Sequence, residues 1–375
     1  MGRRATGAVV AALAAGGAVA ALAAALPGHP QKAAVSAVSS VHPPNSILWR
    51  PESTTTTSAP PPPTTPAPAT TTTTQPAAAV LAGCPVPPSP PRPAPPPPWH
   101  PSVLVPDSTL PPVVAPVAWQ SSLGAISGKG MWIWLWSDTE AGNATSVVKQ
   151  ATAAGLHQLW VRVGDSKDGF YGAAELAALV PAAHAAGVDV VAWGFPYLYD
   201  PVGDAAWTAQ ILAWRGPDGR GVDAYSADLE RSTEGVDMTA QRVGVYLQAV
   251  RRSAGDTPVI ATVYAPLDTY WFGSYPYRTM APYVDAFAPM VYWECTDPAG
   301  AATLALDRLT TLRPVHLIGQ AFNMADVGGR QVGPSGAEIR EFLAAGKQGG
   351  ALGTSFWVWQ TVTPEEWTSL SNYSW

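Results

Sequence analysis

Two carboxylates separated by one residue, Asp228 and Glu230, close the run Gly221-Val222-Asp223-Ala224-Tyr225-Ser226-Ala227-Asp228-Leu229-Glu230. On an extended strand, residues two apart point the same way. Ala224, Ser226, Asp228 and Glu230 form one set, small and then acidic, while Tyr225, Ala227 and Leu229 form an apolar set. The first suits a narrow interior opening into a pocket, the second a covering layer of helices. Two carboxyls that converge in a pocket repel each other, so one keeps its proton to higher pH. A protonated carboxyl beside an ionised one is what general-acid cleavage of a glycosidic bond requires. The plain structural alternative is a rim ion pair with Arg162. The alternation of Trp160, Arg162 and Gly164 against Leu159, Val161 and Val163 turns Arg162 inward as well.

The elements that must hold this pair are legible after Gly130. Eight apolar or β-rich runs follow: Met131–Trp136, Gln158–Val163, Val188–Gly194, Val222–Asp228, Pro258–Tyr264, Val284–Tyr292, Val315–Ala321 and Thr354–Gln360. Their starts are 26 to 39 residues apart, room for one crossover helix each. The helical stretches between them end at Ala153-Ala154-Gly155, Ala185-Ala186-Gly187, Ser253-Ala254-Gly255 and Ala344-Ala345-Gly346, where glycine can take the left-handed conformation that closes a helix. Ser335-Gly336-Ala337-Glu338 and Thr363-Pro364-Glu365-Glu366 are capping boxes. The pattern predicts an α/β fold, a (β/α)8 TIM barrel over 125–375, with its tightest connection at Pro266–Pro282.

Chemistry in such barrels sits at the carboxyl ends of the strands. That rule places Asp228, Glu230, Tyr292 and Glu294 among the candidate site residues. It selects Trp136, Arg162, Asp165, Tyr197, Tyr264, Trp293, Trp359 and Gln360 as candidate substrate contacts. Asp200 reads as a substrate contact or a helix cap. His157, His184 and His316 fall at the opposite face, which argues against a Ser–His–Asp triad or a histidine metal site. No metal and no cofactor is expected. The loop Tyr270–Tyr277 carries five aromatics in eight residues and reads as a binding surface if exposed, or a satellite core if packed down.

Three motifs carry a resemblance. Ala227-Asp228-Leu229-Glu230 resembles the Asp-x-Glu strand of the chitinase-like family 18 glycoside hydrolases and the family 25 lysozymes. Val284–Tyr292, ending Met290-Val291-Tyr292, is similar to the Met-x-Tyr strand of the chitinase-like group, and Ser355–Gln360 to the Trp-bearing last strand of both. The resemblance spans roughly residues 128–375. It implies Glu230 as the acid that protonates the leaving oxygen, Asp228 as the group that holds an N-acetyl substituent or stabilises developing charge, and Tyr292 as a hydrogen-bond partner of that substituent. Substrates would be polymers containing N-acetylglucosamine, chitin or peptidoglycan. The chain departs from the chitinase-like pattern at Ser226, where a further Asp is usual, and at Trp293, where an Asp follows the Tyr. These departures leave a silent barrel that binds cell-wall glycan or a protein partner as the alternative. Glu294 opens a retaining mechanism with Glu230, for which a separation of about 5.5 Å rather than about 8 Å is the signature.

The 124 residues that precede the barrel have another character. They hold 27 of the 40 prolines and seven charged residues, whereas the remainder carries 16 basic against 25 acidic. The N-terminus reads Met1-Gly2-Arg3-Arg4, an uncharged run from Ala5 to Leu26, then Pro27-Gly28, the layout of a secretory signal within 1–28. The same run is just long enough for a retained membrane anchor over 5–26. Residues 29–124, rich in Pro, Thr, Ser and Ala, are expected to form a disordered linker, with Ser and Thr beside Pro as O-glycosylation candidates. Both layouts place the barrel outside the cytoplasm, secreted or bound to the envelope. Cys84 and Cys295 read as a disulfide joining linker to barrel rim, or as idle thiols; Leu81-Ala82-Gly83-Cys84 also spells a lipid-attachment box, lying far behind the signal. The acidic balance without a basic cluster argues against nucleic acid as a partner; the resemblance implies a polysaccharide substrate or cell-wall glycan, and a monomeric chain is expected.

Overall fold

The computed structural model describes Cys84, Pro101 and residues 104–119, 121–267, 269–325 and 329–375, with the side chains of Tyr270 and Trp271 left out. The signal or anchor segment and most of the linker lie outside the described residues. Nine strands occur among those described: β1 Gly128–Ile133, β2 Gln158–Asp165, β3 Gly169–Phe170, β4 Asp189–Phe195, β5 Ala224–Asp228, β6 Val259–Tyr264, β7 Ala286–Met290, β8 His316–Gln320 and β9 Gly353–Trp357. The helices are α1 Ala144–Ala153, α2 Ala173–Ala185, α3 Pro201–Ala213, α4 Ala240–Ala254, α5 Thr269–Ser274, α6 Tyr277–Met280, α7 Pro298–Leu309, α8 Gly336–Gln348 and α9 Pro364–Ser371.

The strands follow one another as β1-β9-β8-β7-β6-β5-β4-β2-β3, and β1 also pairs with β2, which closes the ring. Every pairing is parallel except that of the two-residue β3, which folds back on β2. The eight parallel strands are the eight runs read from the sequence, each with its helix, so the chain is a closed (β/α)8 barrel. The connection between β6 and β7 is the short one, made of α5 and α6. Both capping boxes form, at Ser335/Glu338 and Thr363/Glu366. Gly155, Gly187 and Gly255 end their helices with φ of 62°, 70° and 53°. Gly346 does not: it lies inside α8, where a Cβ would come within 2.9 Å of Thr354 Oγ1, so its value is close approach of helix to sheet.

Two apolar layers result. Met131, Leu159, Val161, Tyr225, Ala227, Leu229 and Phe287 pack outward against the helices, while Trp132, Trp160, Trp193, Ala224, Ile260, Ala286 and Trp357 fill the interior. His316 closes the amino-terminal end of that interior, its Nδ1 2.8 Å from the Ile126 carbonyl and its Nε2 2.9 Å from Ser355 Oγ. Burial drives its pKa down to about 4, so it is a neutral structural imidazole. Among the described residues no helix is long and apolar enough to cross a membrane.

Residues 104–119, read from the sequence as linker, are instead laid along α4. The Val105 amide donates to the Tyr199 carbonyl at 3.0 Å, the Val114 amide to Gln248 Oε1 at 2.6 Å, and the Trp119 indole to Asp285 Oδ1 at 2.7 Å. Arg242, buried on α4, is the hub. It donates to the carbonyls of Leu198 at 2.9 Å, Tyr199 at 3.2 Å and Val105 at 2.6 Å. Its ion pairs reach Asp107 at 2.7 Å and Asp237 at 3.1 Å. Described contacts with the barrel therefore extend back through residues 104–119. Arg242→Ala strands these partners and is expected to cost about 3–5 kcal/mol, against about 1 kcal/mol or less for Asp107→Asn at the half-exposed end. Urea unfolding midpoints of the two variants measure the difference.

Candidate active site

β5 delivers its carboxylates as the alternation requires. Tyr225, Ala227 and Leu229 belong to the outer layer and Ala224 to the interior, so Ser226, Asp228 and Glu230 point inward. The Ser226 hydroxyl is spent on Thr262 Oγ1 of β6 at 2.8 Å. Above it, Asp228 and Glu230 are each 7% exposed. Asp228 Oδ1 and Glu230 Oε2 have no hydrogen-bond partner among the described residues. Burial pushes the Asp228 carboxyl up to about 7, with Glu234 adding and Arg162 opposing. Burial also raises Glu230 well above the usual carboxylate range; the charges of Asp228 and Glu234 add to it, while Tyr264 and Arg231 work the other way. The shift favours the protonated form of Glu230, the form a general acid needs.

Arg162 does not neutralise this pair. Its ion pair goes to Asp165 at 3.1 Å, and its guanidinium stands 5.5 Å from the centre of the Trp193 ring. Asp165 is a turn-former too, its Oδ1 accepting from the amides of Lys167 and Asp168 at 2.9 Å each. Tyr197 is half-buried beside Phe195, with ring centres 4.7 Å apart. Burial raises its phenol pKa; Asp165, Asp228 and Glu230 add to the shift and Arg162 opposes it. Tyr292 shows the same field, raised by burial and by Asp228 and Glu230, and sits edge-on to Phe322 at 5.1 Å. The Arg231 guanidinium lies on the Tyr264 ring at 3.7 Å. The structure thus gathers Asp228, Glu230, Tyr292, Tyr264, Tyr197, Arg162 and Asp165 at one mouth.

Other expected contacts are scaffold. Trp293 is 1% exposed in the outer layer, its ring 4.8 Å from Phe342 and its indole donating to Glu338 Oε1 at 3.2 Å. Trp359 is buried against Trp367, and Gln360 fastens the loop after β1 by donating to the Leu135 carbonyl at 2.8 Å and Thr139 Oγ1 at 2.5 Å. The Trp293 and Trp359 rings are closed into the helix layer, and Gln360 commits its Nε2 to the loop while its Oε1 has no partner among the described residues. Trp136 is half-buried against the outer layer. Asp200 caps α3 by accepting from the Gly203 amide. Glu294 takes a left-handed φ of 50°, its amide donating to Gln320 Oε1 at 3.0 Å; it is not among the charges that dominate either carboxyl of the pair.

The residues that sequence reasoning missed are Trp134 and Trp357, both turned into the barrel interior with Tyr292, Met290 and Phe322. Ser355, whose hydroxyl bonds His316 and the Trp132 indole, was the signal: it sets the inward parity of β9 two residues before Trp357. The Trp357–Val358 peptide is cis. In the aromatic loop, Tyr275 and Tyr277 are packed down. The Tyr275 hydroxyl donates to the Leu229 carbonyl between the two acids, and the Tyr277 hydroxyl to the Tyr264 carbonyl at 2.7 Å. Cys84 and Cys295 form a disulfide, Cα atoms 5.7 Å apart, so the Cys84 sulfur is not available to a lipid. Among the described residues no cluster of three or more His, Cys, Asp or Glu side chains could hold a metal ion.

No family model matches the chain, and no curated protein matches it in sequence. Solved structures do resemble it. The spore cortex-lytic enzyme SleL of Bacillus cereus is 12% identical, with 68% of this chain and 75% of that chain covered at a TM-score of 0.49. The family GH18 chitinase of Cycas revoluta, in complex with allosamidin, is 11% identical over 66% of this chain and 99% of that chain at 0.49. A chitinase of Chromobacterium violaceum is 10% identical over 65% and 98% at 0.47. At such identities and scores the likeness is one of barrel fold, and the chemistry rests on this chain's own residues.

A stability test follows from the buried pair. The Asp228 carboxyl titrates at about 7 in the fold against an ordinary 3.8, so the folded chain binds more protons than the unfolded one between those values. Stability then falls as pH rises through that window. Burial raises Glu230, Asp204 and Glu366 in the same direction. Asp228→Asn, which cannot ionise, is expected to unfold roughly 2–4 °C above wild type at pH 8, the equivalent of about 1 kcal/mol in a domain of this size, and close to wild type at pH 4. Thermal melts at the two pH values read the difference.

Proposed function

We propose that this chain is an exported glycoside hydrolase whose barrel cleaves a polysaccharide containing N-acetylhexosamine, of the peptidoglycan or chitin type. The observation that carries the reading is the inward carboxyl pair at the carboxyl end of β5, buried, in no ion pair among the described residues, and with both carboxyls raised by burial. In this mechanism Glu230 gives its proton to the leaving glycosidic oxygen. Asp228 stabilises the positive charge that develops at the anomeric carbon, Tyr292 hydrogen-bonds the sugar's substituent above it, and water then adds to the anomeric carbon and returns a proton to Glu230. Glu294 is the second carboxylate of a retaining variant of the same scheme. Export is supported by the basic-then-apolar N-terminus and by the disulfide, since disulfides persist in oxidising compartments. A polysaccharide or cell-wall glycan is the partner in view, met by a monomer.

One observation favours a second reading, a silent barrel that binds glycan or a protein partner. The hydroxyl of Ser226 is bonded to Thr262, so Asp228 has no carboxyl below it to position it. The two readings separate on insoluble peptidoglycan, chitin, β-glucan and arabinogalactan, following soluble reducing sugar and pellet-bound protein in the same tubes. Glu230→Gln is expected to lower release on the order of 10²–10⁴-fold while leaving binding near normal. Binding without release by the wild type establishes the silent barrel instead.

A further inference from the structure

Leu198 is fully buried and is not a glycine, yet its backbone takes a left-handed φ of 61°. A bulky side chain is strained there, and such strain persists only where the surroundings over-determine it. The turn after β4 is held that tightly. The Tyr197 amide donates to Ser166 Oγ at 2.6 Å, and the Tyr197 carbonyl accepts from the Asp237 amide at 2.9 Å. The Leu198 amide donates to Asp204 Oδ2 at 2.9 Å, and its carbonyl accepts from Arg242 at 2.9 Å. The Tyr199 carbonyl accepts from Arg242 at 3.2 Å and from the Val105 amide at 3.0 Å. Of these partners Val105 alone belongs to the segment ahead of the barrel. Arg242 clasps that segment in return, at the Val105 carbonyl at 2.6 Å and at Asp107 at 2.7 Å.

The turn stands at the mouth. Gly194 is in register with Ala227, so the chain that leaves β4 rises beside Asp228. Tyr197 is half-buried, one side of it open to solvent, and the charges of Asp165, Asp228, Glu230 and Arg162 all reach its phenol. Burial, with those carboxylates, keeps the phenol neutral and so a hydroxyl donor. A tether needs length and an attachment; hydrogen bonds to a strained turn add nothing to that task. Resting on the reading above, we propose that Val105–Asp107 is a working part of the mouth: with Arg242 it fixes the left-handed turn at Leu198 and so holds the Tyr197 hydroxyl where a sugar entering the mouth meets it. Val105, Asp107 and Arg242 are positioning residues, acting on the turn, while Tyr197 touches the substrate. A leader drawn away from the barrel takes the Val105 amide from the Tyr199 carbonyl and the Asp107 carboxylate from Arg242.

The test compares the full chain as wild type, Val105→Pro, Tyr197→Phe and the double variant. Val105→Pro deletes one donor in a segment that is already extended at Pro106. Val117→Pro, at an 87% exposed position of the same segment, is the control. Hydrogen exchange at the Tyr197 and Leu198 amides is expected to quicken about 2- to 10-fold in Val105→Pro, the effect of one hydrogen bond, while the Leu229 amide keeps its rate. Sugar release from insoluble peptidoglycan or chitin is expected to fall about 10- to 100-fold in Val105→Pro and in Tyr197→Phe. It falls no further in the double variant, because both changes remove the same contact. A segment that only stabilises the fold gives losses that multiply in the double variant and no selective exchange at the turn. Either result overturns the inference, as does a Val117→Pro variant that matches Val105→Pro. Binding without release by the wild type removes the hydrolase alone, and the same cycle is then read in dissociation constants for the glycan. Neither binding nor release by the wild type removes both.

Discussion

The wall of the barrel is a single layer of backbone, so each strand residue faces either the packed interior or the helices. Parity along β5 decides the site: with Tyr225, Ala227 and Leu229 spent on the helix layer, Asp228 and Glu230 have nowhere to go but inward. The neighbouring strands answer the same constraint. β7 sends Met290 and Tyr292 inside and Val291 and Trp293 outside, and β9 sends Ser355 toward His316 and Trp357 into the interior. The indoles of Trp132, Trp160, Trp193 and Trp357 then fill the space below the acids, the first two stacked at 4.7 Å. A floor of that bulk excludes water from beneath the pair, and the exclusion is what raises both carboxyls.

Desolvation and charge compete differently at each acid of the molecule. Glu338 is also buried, yet the fork of Arg330 at 2.5 and 2.8 Å and the bonds from Ser335 overcome burial and hold it at about 2. Asp204 is shielded by the Leu198 amide at 2.9 Å and the Trp207 indole at 3.1 Å and rises only to about 6. Asp228 has neither guanidinium nor amide partner. Glu366, which caps α9, also rises to about 7 with its Oε1 unpartnered among the described residues, so what distinguishes the mouth is the convergence of two such carboxyls rather than a raised carboxyl as such.

Much of this was legible beforehand, for reasons that lie in the residues. The eight strands stood out because alternating apolar runs and glycine stops recur at crossover spacing, and the Asp228–Glu230 parity followed from small residues at Ala224 and Ser226. Two features misled. Trp359 was placed at a strand top, but β9 ends at Trp357 and the chain turns into a short 3-10 segment, where alternation no longer applies. Gly346 read as a helix stop because a glycine needed for positive φ and one needed for close packing look alike in a sequence. The segment 104–119 gave no signal at all. Its composition is that of the linker, and what fixes it are barrel groups, Arg242, Gln248, Tyr283 and Asp285, reaching for its backbone and its single indole.

The disulfide has a mechanical meaning beside its chemical one. Cys295 follows β7 and Tyr199 follows β4, so the chain ahead of the barrel is fastened at the end that carries the acids, once by a covalent bond and once by the Val105 amide. A pull on the leader is carried by sulfur before it reaches the hydrogen bonds along α4. Load thus enters at the mouth and bypasses the strap, and a barrel held by its leader is held by the end that carries the carboxyl pair.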